Sequence, residues 1–175
     1  MEERLMRLGT LCTHSFKAHL DRVRLKTSKL TERLWIDYPE AVAIVPMISE
    51  NEIILVKQWR YAVGRETLEI PAGKMDYGES PRDAASRELL EETGFGAGEF
   101  NLLMRYYPAY GYSNEVINLF VAKDLVKKGD LTAVHEINKT ETLTMESLFA
   151  MISAGKIMDA KTIIAISSLK SRELF

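Results

Sequence analysis

Three closely spaced glutamates are the residues of this sequence best suited to chemistry. Glu88, Glu91 and Glu92 are spaced i, i+3 and i+4, so in a helix their carboxylates project from one side within about one turn. Such a cluster is most often a solvated acidic face, since exposed like charges repel by only tenths of a kcal/mol. Beside an open loop it is also suited to a hard divalent cation such as Mg²⁺, which takes oxygen ligands and keeps waters and phosphates in its shell.

The helix that would carry these glutamates has clear start and stop signals. Ser80 is suited to the N-cap position, and Pro81 occupies the first helical position. Gly94 stands where a left-handed residue ends a helix. We therefore predict a helix over residues 81–92, preceded by a loop rich in glycine and charge.

Strand patterns dominate elsewhere. Loose alternation over residues 10–38 predicts two or three strands, and denser apolar runs at 41–48 and 52–59 predict a hairpin. Further strands are predicted at 100–107, 116–122 and about 139–143, followed by helices near 146–154 and 160–170, the last capped by Asp159.

These elements favour an α+β fold, with a mixed sheet between helices, over a doubly wound parallel fold, because strands and helices do not alternate and no repeat is visible. The strands before residue 41 have little core of their own and form a small antiparallel sheet most easily if they pair with another subunit. We predict an N-terminal β-strand region at 1–40 and a main domain at 41–175.

Composition restricts the functional class. The chain has 175 residues, 46% of them hydrophobic and 27% charged, which is typical of one globular domain. Its apolar runs are far shorter than the roughly 20 residues of a spanning helix, and its acidic start does not resemble a signal peptide. The single cysteine, Cys12, has no partner for an internal disulfide. We expect a cytoplasmic protein without a membrane role.

The charge distribution also argues against nucleic acid as a partner. Basic residues predominate in 1–36 and acidic residues in 66–99. The basic residues are scattered through alternating strand patterns rather than clustered with aromatic residues, as in a nucleic-acid surface. Solvated strand faces explain them better.

The segment 73–95 resembles the signature of Nudix hydrolases at every defined position. The matching residues are Gly73, Glu79, Arg87, Glu88, Leu89, Glu91, Glu92, Gly94 and Phe95. The resemblance implies the Nudix fold, an α/β/α sandwich with a mixed sheet in which this segment forms a loop, a helix and a loop. It also implies hydrolysis of a nucleoside diphosphate linked to another moiety, X.

Site roles follow from the resemblance by position. Glu88 and Glu92 are implied as the principal ligands of Mg²⁺, with Mn²⁺ as the alternative, and the carbonyl of Ala72 as a backbone ligand. Glu91 is implied as a further ligand or a water-positioning group. Arg87 is the implied orienting residue.

Two further residues of the motif belong with this orienting group, Gly73 and Glu79. The guanidinium of Arg87 is suited to hold Glu79 or a neighbouring acid in a bidentate pair. For Glu79 a structural role and direct ligation are equally open.

A general base is implied in a loop after the signature, as in ADP-ribose-cleaving members of the family. Glu136 is the first candidate, and Glu115, close to the start of a predicted strand, is the rival. Spacing does not decide between them. His135 is interpreted as a surface residue.

The flanking segments bear on X. Residues 56–64, 68–73 and 107–115 are similar to segments of ADP-ribose pyrophosphatases and related ADP-sugar hydrolases, although Ala109 stands where that subfamily commonly has glycine after proline. Arg60 is suited to a phosphate or the terminal ribose, and Glu69 to a hydroxyl or the adenine amino group. The tyrosines of 107–112 also fit dinucleoside polyphosphates.

The adenine-stacking residue is open among Phe16, Trp35 and Tyr110, each equally well explained as strand packing. In the ADP-ribose enzymes the N-terminal strands pair across a two-fold dimer, so the resemblance implies a homodimer through residues 1–40.

The predicted function is hydrolysis of ADP-ribose, or a related ADP-sugar, to AMP and ribose 5-phosphate. The alternatives are hydrolysis of a dinucleoside polyphosphate, NADH or an oxidised nucleotide, and a non-catalytic sensor that binds ADP-ribose or NAD. The sensor is disfavoured because every acid of the signature is present.

Overall fold

The computed structural model describes residues 1–130, 132–133 and 137–173. The strands are β1 (Glu3–Cys12), β2 (Lys17–Arg24), β3 (Leu30–Asp37), β4 (Ala41–Ser49), β5 (Glu52–Arg60), β6 (Arg65–Glu69), β7 (Ala72–Lys74), β8 (Phe95–Tyr106), β9 (Ile117–Lys127) and β10 (Ile137–Thr144). The helices are α1 (Pro81–Thr93), α2 (Met145–Ser153) and α3 (Ala160–Glu173), with a 3₁₀ turn at Tyr61–Val63. None of the helices in the described ranges is long and apolar enough to cross a membrane.

The chain forms two compact units. The first comprises Met1–Glu40 and Tyr106–Ile117, and the second comprises Ala41–Arg105 and the described residues from Asn118 onward. The segment 106–117 is therefore grouped with the N-terminal strands rather than with the strands that flank it in sequence.

The first unit is built on an antiparallel sheet in the order β1-β2-β3. This confirms the predicted N-terminal antiparallel sheet. Leu20 lies opposite Leu34, and Ala18 lies opposite both Leu11 and Ile36, so these five residues share one face. Leu11 and Leu34 are 67% and 65% exposed on that face.

The second unit contains the mixed sheet, in the order β10-β5-β4-β9-β8, with β6 beside β5 and β7 beside β4. In central β4, the four residues from Val42 to Val45 are fully buried. Successive strand side chains point to opposite faces, so both faces of the sheet are covered. Helix α1 packs Ala85 and Leu89 against Val42 and Ile44 on one face. The predicted α/β/α sandwich is confirmed.

Helix α1 begins at Pro81 as predicted and ends at Thr93, one residue beyond the predicted end. The Ser80 hydroxyl accepts a hydrogen bond from the Asp83 amide at 3.2 Å, and the Gly94 amide donates to the Leu90 carbonyl at 2.8 Å. Gly94 has a φ of 73°, and a Cβ there would collide with the Gly129 carbonyl oxygen. Both ends of the helix are thus fixed by local chemistry that the sequence shows.

The structure adds two short strands that the sequence did not predict, β6 and β7. Charged residues in β6 and the glycine within β7 obscure any strand pattern, and Pro71 lies between the two. Strand β8 begins at Phe95, directly after α1, rather than near residue 100. The cap of α3 is as predicted, since the Thr162 amide donates to the Asp159 carboxylate at 3.0 Å.

Candidate metal and active site

Helix α1 turns two of its three glutamates inward. Glu88 is 9% exposed and Glu92 is 4% exposed, whereas the Glu91 side chain is 42% exposed. Burial raises the pKa of Glu92 to about 8, and the Glu88 charge adds to this effect although the Ala72 amide opposes it. Burial also raises the pKa of Glu88, against the opposing effect of Arg87. Two buried carboxylates of this kind gain from a cation that offsets their charge.

The backbone of β7 lies directly against these carboxylates. The Ala72 amide donates to Glu92 Oε2 at 3.1 Å, and Ala72 is paired with Ala43 of β4. The Glu88 carboxylate occupies the position that a Cβ at Gly73 would take. Any side chain at residue 73 would therefore displace Glu88, which explains why glycine stands there.

Arg87 connects the acids of the motif. Its Nε and Nη2 donate to the two carboxylate oxygens of Glu79 at 3.0 and 2.9 Å, and its Nη1 donates to Glu88 Oε1 at 2.7 Å. A longer contact of 3.4 Å reaches Glu91, and Nη2 also donates to the Lys74 carbonyl at 3.0 Å. The hydrogen bonds from Arg87 lower the pKa of Glu79. The bidentate pair between Arg87 and Glu79 is present as the sequence indicated.

The donor set fits a hard divalent cation. Within the described ranges, no three His, Cys, Asp or Glu side chains are gathered around one ion position. Glu88 and Glu92 supply buried carboxylate oxygens, and the Ala72 carbonyl stays a predicted backbone ligand. Mg²⁺ is commonly held by one or two carboxylates and completes its shell with water and substrate phosphates.

Arg60 and Glu69 form a second charged group in the same unit. Arg60 Nε and Nη2 donate to the two Glu69 oxygens at 2.9 and 2.7 Å, and the Thr67 hydroxyl donates to Oε1 at 2.5 Å. Lys161 Nζ donates to Glu69 Oε2 and, at 3.0 Å, to Asp159 Oδ1. Both oxygens of Glu69 are thus bound by protein donors, while the Arg60 side chain is 42% exposed. Their roles as substrate contacts stay predictions.

The environment of Glu69 keeps it ionised. Burial would raise the pKa of this carboxyl, but the hydrogen bonds from Arg60 and the charge of Lys161 outweigh burial and lower the pKa to about 2. Lys161 was not singled out in the sequence. Its partner lies 92 residues away, and its only local signal is its place in the first turn of α3.

The two general-base candidates, Glu115 and Glu136, stay predictions. Glu115 belongs to the first unit, where its amide donates to the Ser113 hydroxyl at 3.1 Å. Glu136 and His135 lie outside the described residues. The choice between Glu115 and Glu136 stays open.

The aromatic candidates for adenine stacking have different surroundings within the first unit. Phe16 stacks on Tyr38 with ring centroids 5.8 Å apart. Trp35 donates its indole N–H to Asp21 at 2.8 Å. Tyr110 is 84% exposed, so of the three it has the most ring surface available to a ligand.

Comparisons with known proteins identify the family to which this chain is similar. A family model described as the NUDIX domain matches residues 37–163. The chain is 35% identical to a methanol dehydrogenase activator of Bacillus methanolicus over 159 residues, covering 90% of this chain and 86% of the relative. It is 33% identical to an ADP-ribose pyrophosphatase of Bacillus subtilis (strain 168) over 157 residues, covering 89% and 85%.

A solved structure shares the fold. The crystal structure of an ADP compounds hydrolase superposes with a TM-score of 0.82 at 23% sequence identity, covering 97% of this chain and 94% of that one. At that level of identity the likeness shows the architecture, while the sequence relatives show the family.

Proposed function

This chain belongs to the Nudix hydrolase family as a pyrophosphohydrolase, and we propose that it cleaves ADP-ribose to AMP and ribose 5-phosphate, or a related ADP-sugar to AMP and the corresponding sugar phosphate. The observation that carries the proposal is the buried pair of Glu88 and Glu92 against Gly73. Enzymes of this family typically use divalent metal ions, and the pair supplies the oxygen ligands that such an ion requires.

The residues of the site divide the work of hydrolysis. A bound divalent cation such as Mg²⁺ would supply positive charge to the phosphate oxygens and would make a water more acidic. Glu88 and Glu92 would hold the cation, and Arg87 keeps Glu88 and Glu79 in fixed orientations. The water oxygen bonds to phosphorus as the bridging P–O bond breaks, and a carboxylate accepts the water's proton. Glu115 and Glu136 are the candidates for that carboxylate, and Glu91 is the candidate for a further ligand or a water-positioning group.

The choice of ADP-ribose rests on the relatives and on one charged side chain. A relative aligned over most of this chain is named as an ADP-ribose pyrophosphatase. The partly exposed guanidinium of Arg60 offers a cation to a phosphate or ribose oxygen beyond its pair with Glu69.

The decisive experiment incubates the purified protein with ADP-ribose and Mg²⁺ and follows AMP and ribose 5-phosphate. We expect metal-dependent release that Glu92→Gln abolishes and that Glu50→Gln, which changes an exposed turn residue, leaves unchanged. Rates measured on a panel of ADP-sugars, NADH, dinucleoside polyphosphates and oxidised nucleoside triphosphates test which moiety X the enzyme accepts.

Each outcome has a distinct meaning. Turnover of another panel member, with ADP-ribose untouched, would keep the reaction and overturn ADP-ribose as substrate. Silence on the whole panel, together with calorimetric binding of ADP-ribose, would replace the enzyme with a sensor.

We also propose that the protein is a homodimer through its N-terminal sheet. The exposed face around Leu11 and Leu34 is apolar in a sheet of three strands, and such a small sheet gains stability when a second copy covers it.

A further inference from the structure

The backbone between β6 and β7 is held by three different elements. The Ile44 amide of β4 donates to the Pro71 carbonyl at 2.9 Å, and Glu92 of α1 accepts from the Ala72 amide at 3.1 Å. From α3, the Thr162 hydroxyl accepts from the Ile70 amide at 3.0 Å. Hydrogen bonds to β4, α1 and α3 therefore fix the position of the segment 69–72, which immediately precedes Gly73.

The contribution of α3 is a built and buried arrangement. Thr162 is fully buried, and the Lys161 side chain is 11% exposed. Asp159 orients both: its Oδ1 accepts from Lys161 Nζ at 3.0 Å, and its Oδ2 accepts the Thr162 hydroxyl at 2.6 Å. With its proton directed to Asp159, the Thr162 hydroxyl presents a lone pair to the Ile70 amide.

Lys161 completes the connection through a side chain. Its ammonium group donates to both Asp159 and Glu69, so it joins the first turn of α3 to the end of β6. Two adjacent residues of α3 thus hold two adjacent residues of the segment, one through a carboxylate and the other through a backbone amide.

We propose that Lys161 and Thr162 are positioning residues for the metal site. By fixing residues 69 and 70, they hold the Ala72 carbonyl and the Ala72 amide, which donates to Glu92, in the geometry that a divalent cation requires. This inference rests on the proposed metal site. Neither residue belongs to the signature segment 73–95, and both act through residues 69 and 70, Lys161 by way of the Glu69 carboxylate and Thr162 by way of the Ile70 amide.

The charge of Lys161 allows this role to be separated from a purely electrostatic one. A positive charge near Glu92 repels a metal ion, so if charge alone mattered, neutralising Lys161 would tighten metal binding. If Lys161 positions Ala72, neutralising it weakens metal binding despite the lost repulsion. The two roles predict changes of opposite sign.

The test measures Mn²⁺ binding to the substrate-free protein by electron paramagnetic resonance. We expect Lys161→Met to weaken binding roughly 10-fold, as is typical when a residue that orients a ligand is lost, and Lys161→Arg to restore it. Lys156→Met, at an exposed lysine just before α3, is the matched control and should bind as the unsubstituted protein does. Unchanged or tighter binding in Lys161→Met would overturn the inference.

A second pair of variants tests the same role without a change of charge. Thr162→Val removes the acceptor for the Ile70 amide and should weaken Mn²⁺ binding, and Thr162→Ser should restore it. Equal binding by the folded Val and Ser variants would overturn the role of Thr162. If Thr162→Val does not fold, Mn²⁺ binding by Lys161→Met alone decides whether the inference stands.

The result also separates this inference from the proposed function. Mn²⁺ binding that depends on Lys161, in a protein that leaves ADP-ribose intact, would support the inference and overturn the substrate. Absence of Mn²⁺ binding in the unsubstituted protein would overturn the metal site and the inference together.

Discussion

At the scale of single residues, Arg87 has the most demanding geometry of the site. One planar guanidinium pairs with both oxygens of Glu79 and also with Glu88. A lysine ammonium carries the same charge but cannot make a bidentate pair. The orientation of Glu88 thus depends on the planar shape of the Arg87 guanidinium as well as on its positive charge.

We therefore expect Arg87→Lys to impair metal use. The Mg²⁺ concentration needed for half-maximal hydrolysis should rise about 10- to 100-fold, because Glu88 loses its fixed partner. A Mg²⁺ titration of the hydrolysis rate measures this. Arg82→Lys, at an exposed position of the same helix, should leave the titration unchanged; an unchanged titration in Arg87→Lys would show that charge alone suffices.

Glu69 gives the protein a pH-dependent stability. Its pKa falls from the usual 4.5 to about 2 in the folded state, so its contribution is present above pH 4.5 and is lost as the pH falls through that range toward 2. Between pH 7 and pH 3 this amounts to about 2 kcal/mol in the free energy of unfolding.

Urea unfolding at the two pH values would measure this contribution. Glu69→Gln should lose about 2 kcal/mol less between pH 7 and pH 3 than the unsubstituted protein. Glu50→Gln, at an exposed turn, serves as the control. Equal losses in Glu69→Gln and the unsubstituted protein would mean that Glu69 titrates normally.

Contacts between residues close in sequence could be predicted, whereas contacts between residues far apart in sequence could not. Arg87 and its acids lie within a short segment, so helical spacing and side-chain chemistry were enough to place them together. Lys161 and Glu69 meet because the first turn of α3 lies against the end of β6, and no local spacing in the sequence indicates that contact. For the same reason, spacing could not decide between Glu115 and Glu136.

At the scale of secondary structure, α1 is the element most fully determined by local chemistry. Its N-cap, its first-position proline and its left-handed terminal glycine all act within a few residues of the ends. The short strands β6 and β7 are the opposite case, since they exist through pairing with β5 and β4. Local propensity could predict the helix but not these strands.

Removal of the cap should therefore be measurable. Ser80→Ala should lower the free energy of unfolding by about 1 kcal/mol, because the Asp83 amide loses its acceptor. Ser86→Ala, at an exposed position within the same helix, should not destabilise the protein, since alanine favours helix there. Urea unfolding compares them; equal stabilities in the two variants would contradict the role of the cap.

At the scale of the whole molecule, the grouping of 106–117 with the N-terminal strands is the feature least visible in the sequence. It depends on contacts such as the Tyr38 amide donating to Asn114 Oδ1 at 2.8 Å, between residues 76 positions apart. Strands β2 and β3 lie in the stretch 10–38 where alternation predicted strands, whereas β1 begins at Glu3, before that stretch.

The proposed dimer belongs to this scale. Leu34→Glu places a charge in the exposed apolar face of the N-terminal sheet and should convert the dimer to a monomer, since burying that charge would be costly. Size-exclusion chromatography with light scattering measures the mass. Lys29→Glu, in the turn between β2 and β3, should remain dimeric, and a dimeric Leu34→Glu would place the interface elsewhere.

The burial of β4 on both faces should make its backbone amides exchange slowly with solvent. Amide hydrogens in such a strand exchange with solvent only when the cooperative unit around them unfolds. Native-state exchange followed by NMR should find the Ile44 amide among the slowest, and fast exchange there would contradict this. Because that amide is bonded to the Pro71 carbonyl, the backbone leading to Ala72 is anchored to a strand that does not fray. Local fluctuations elsewhere in the chain should therefore leave this backbone in place.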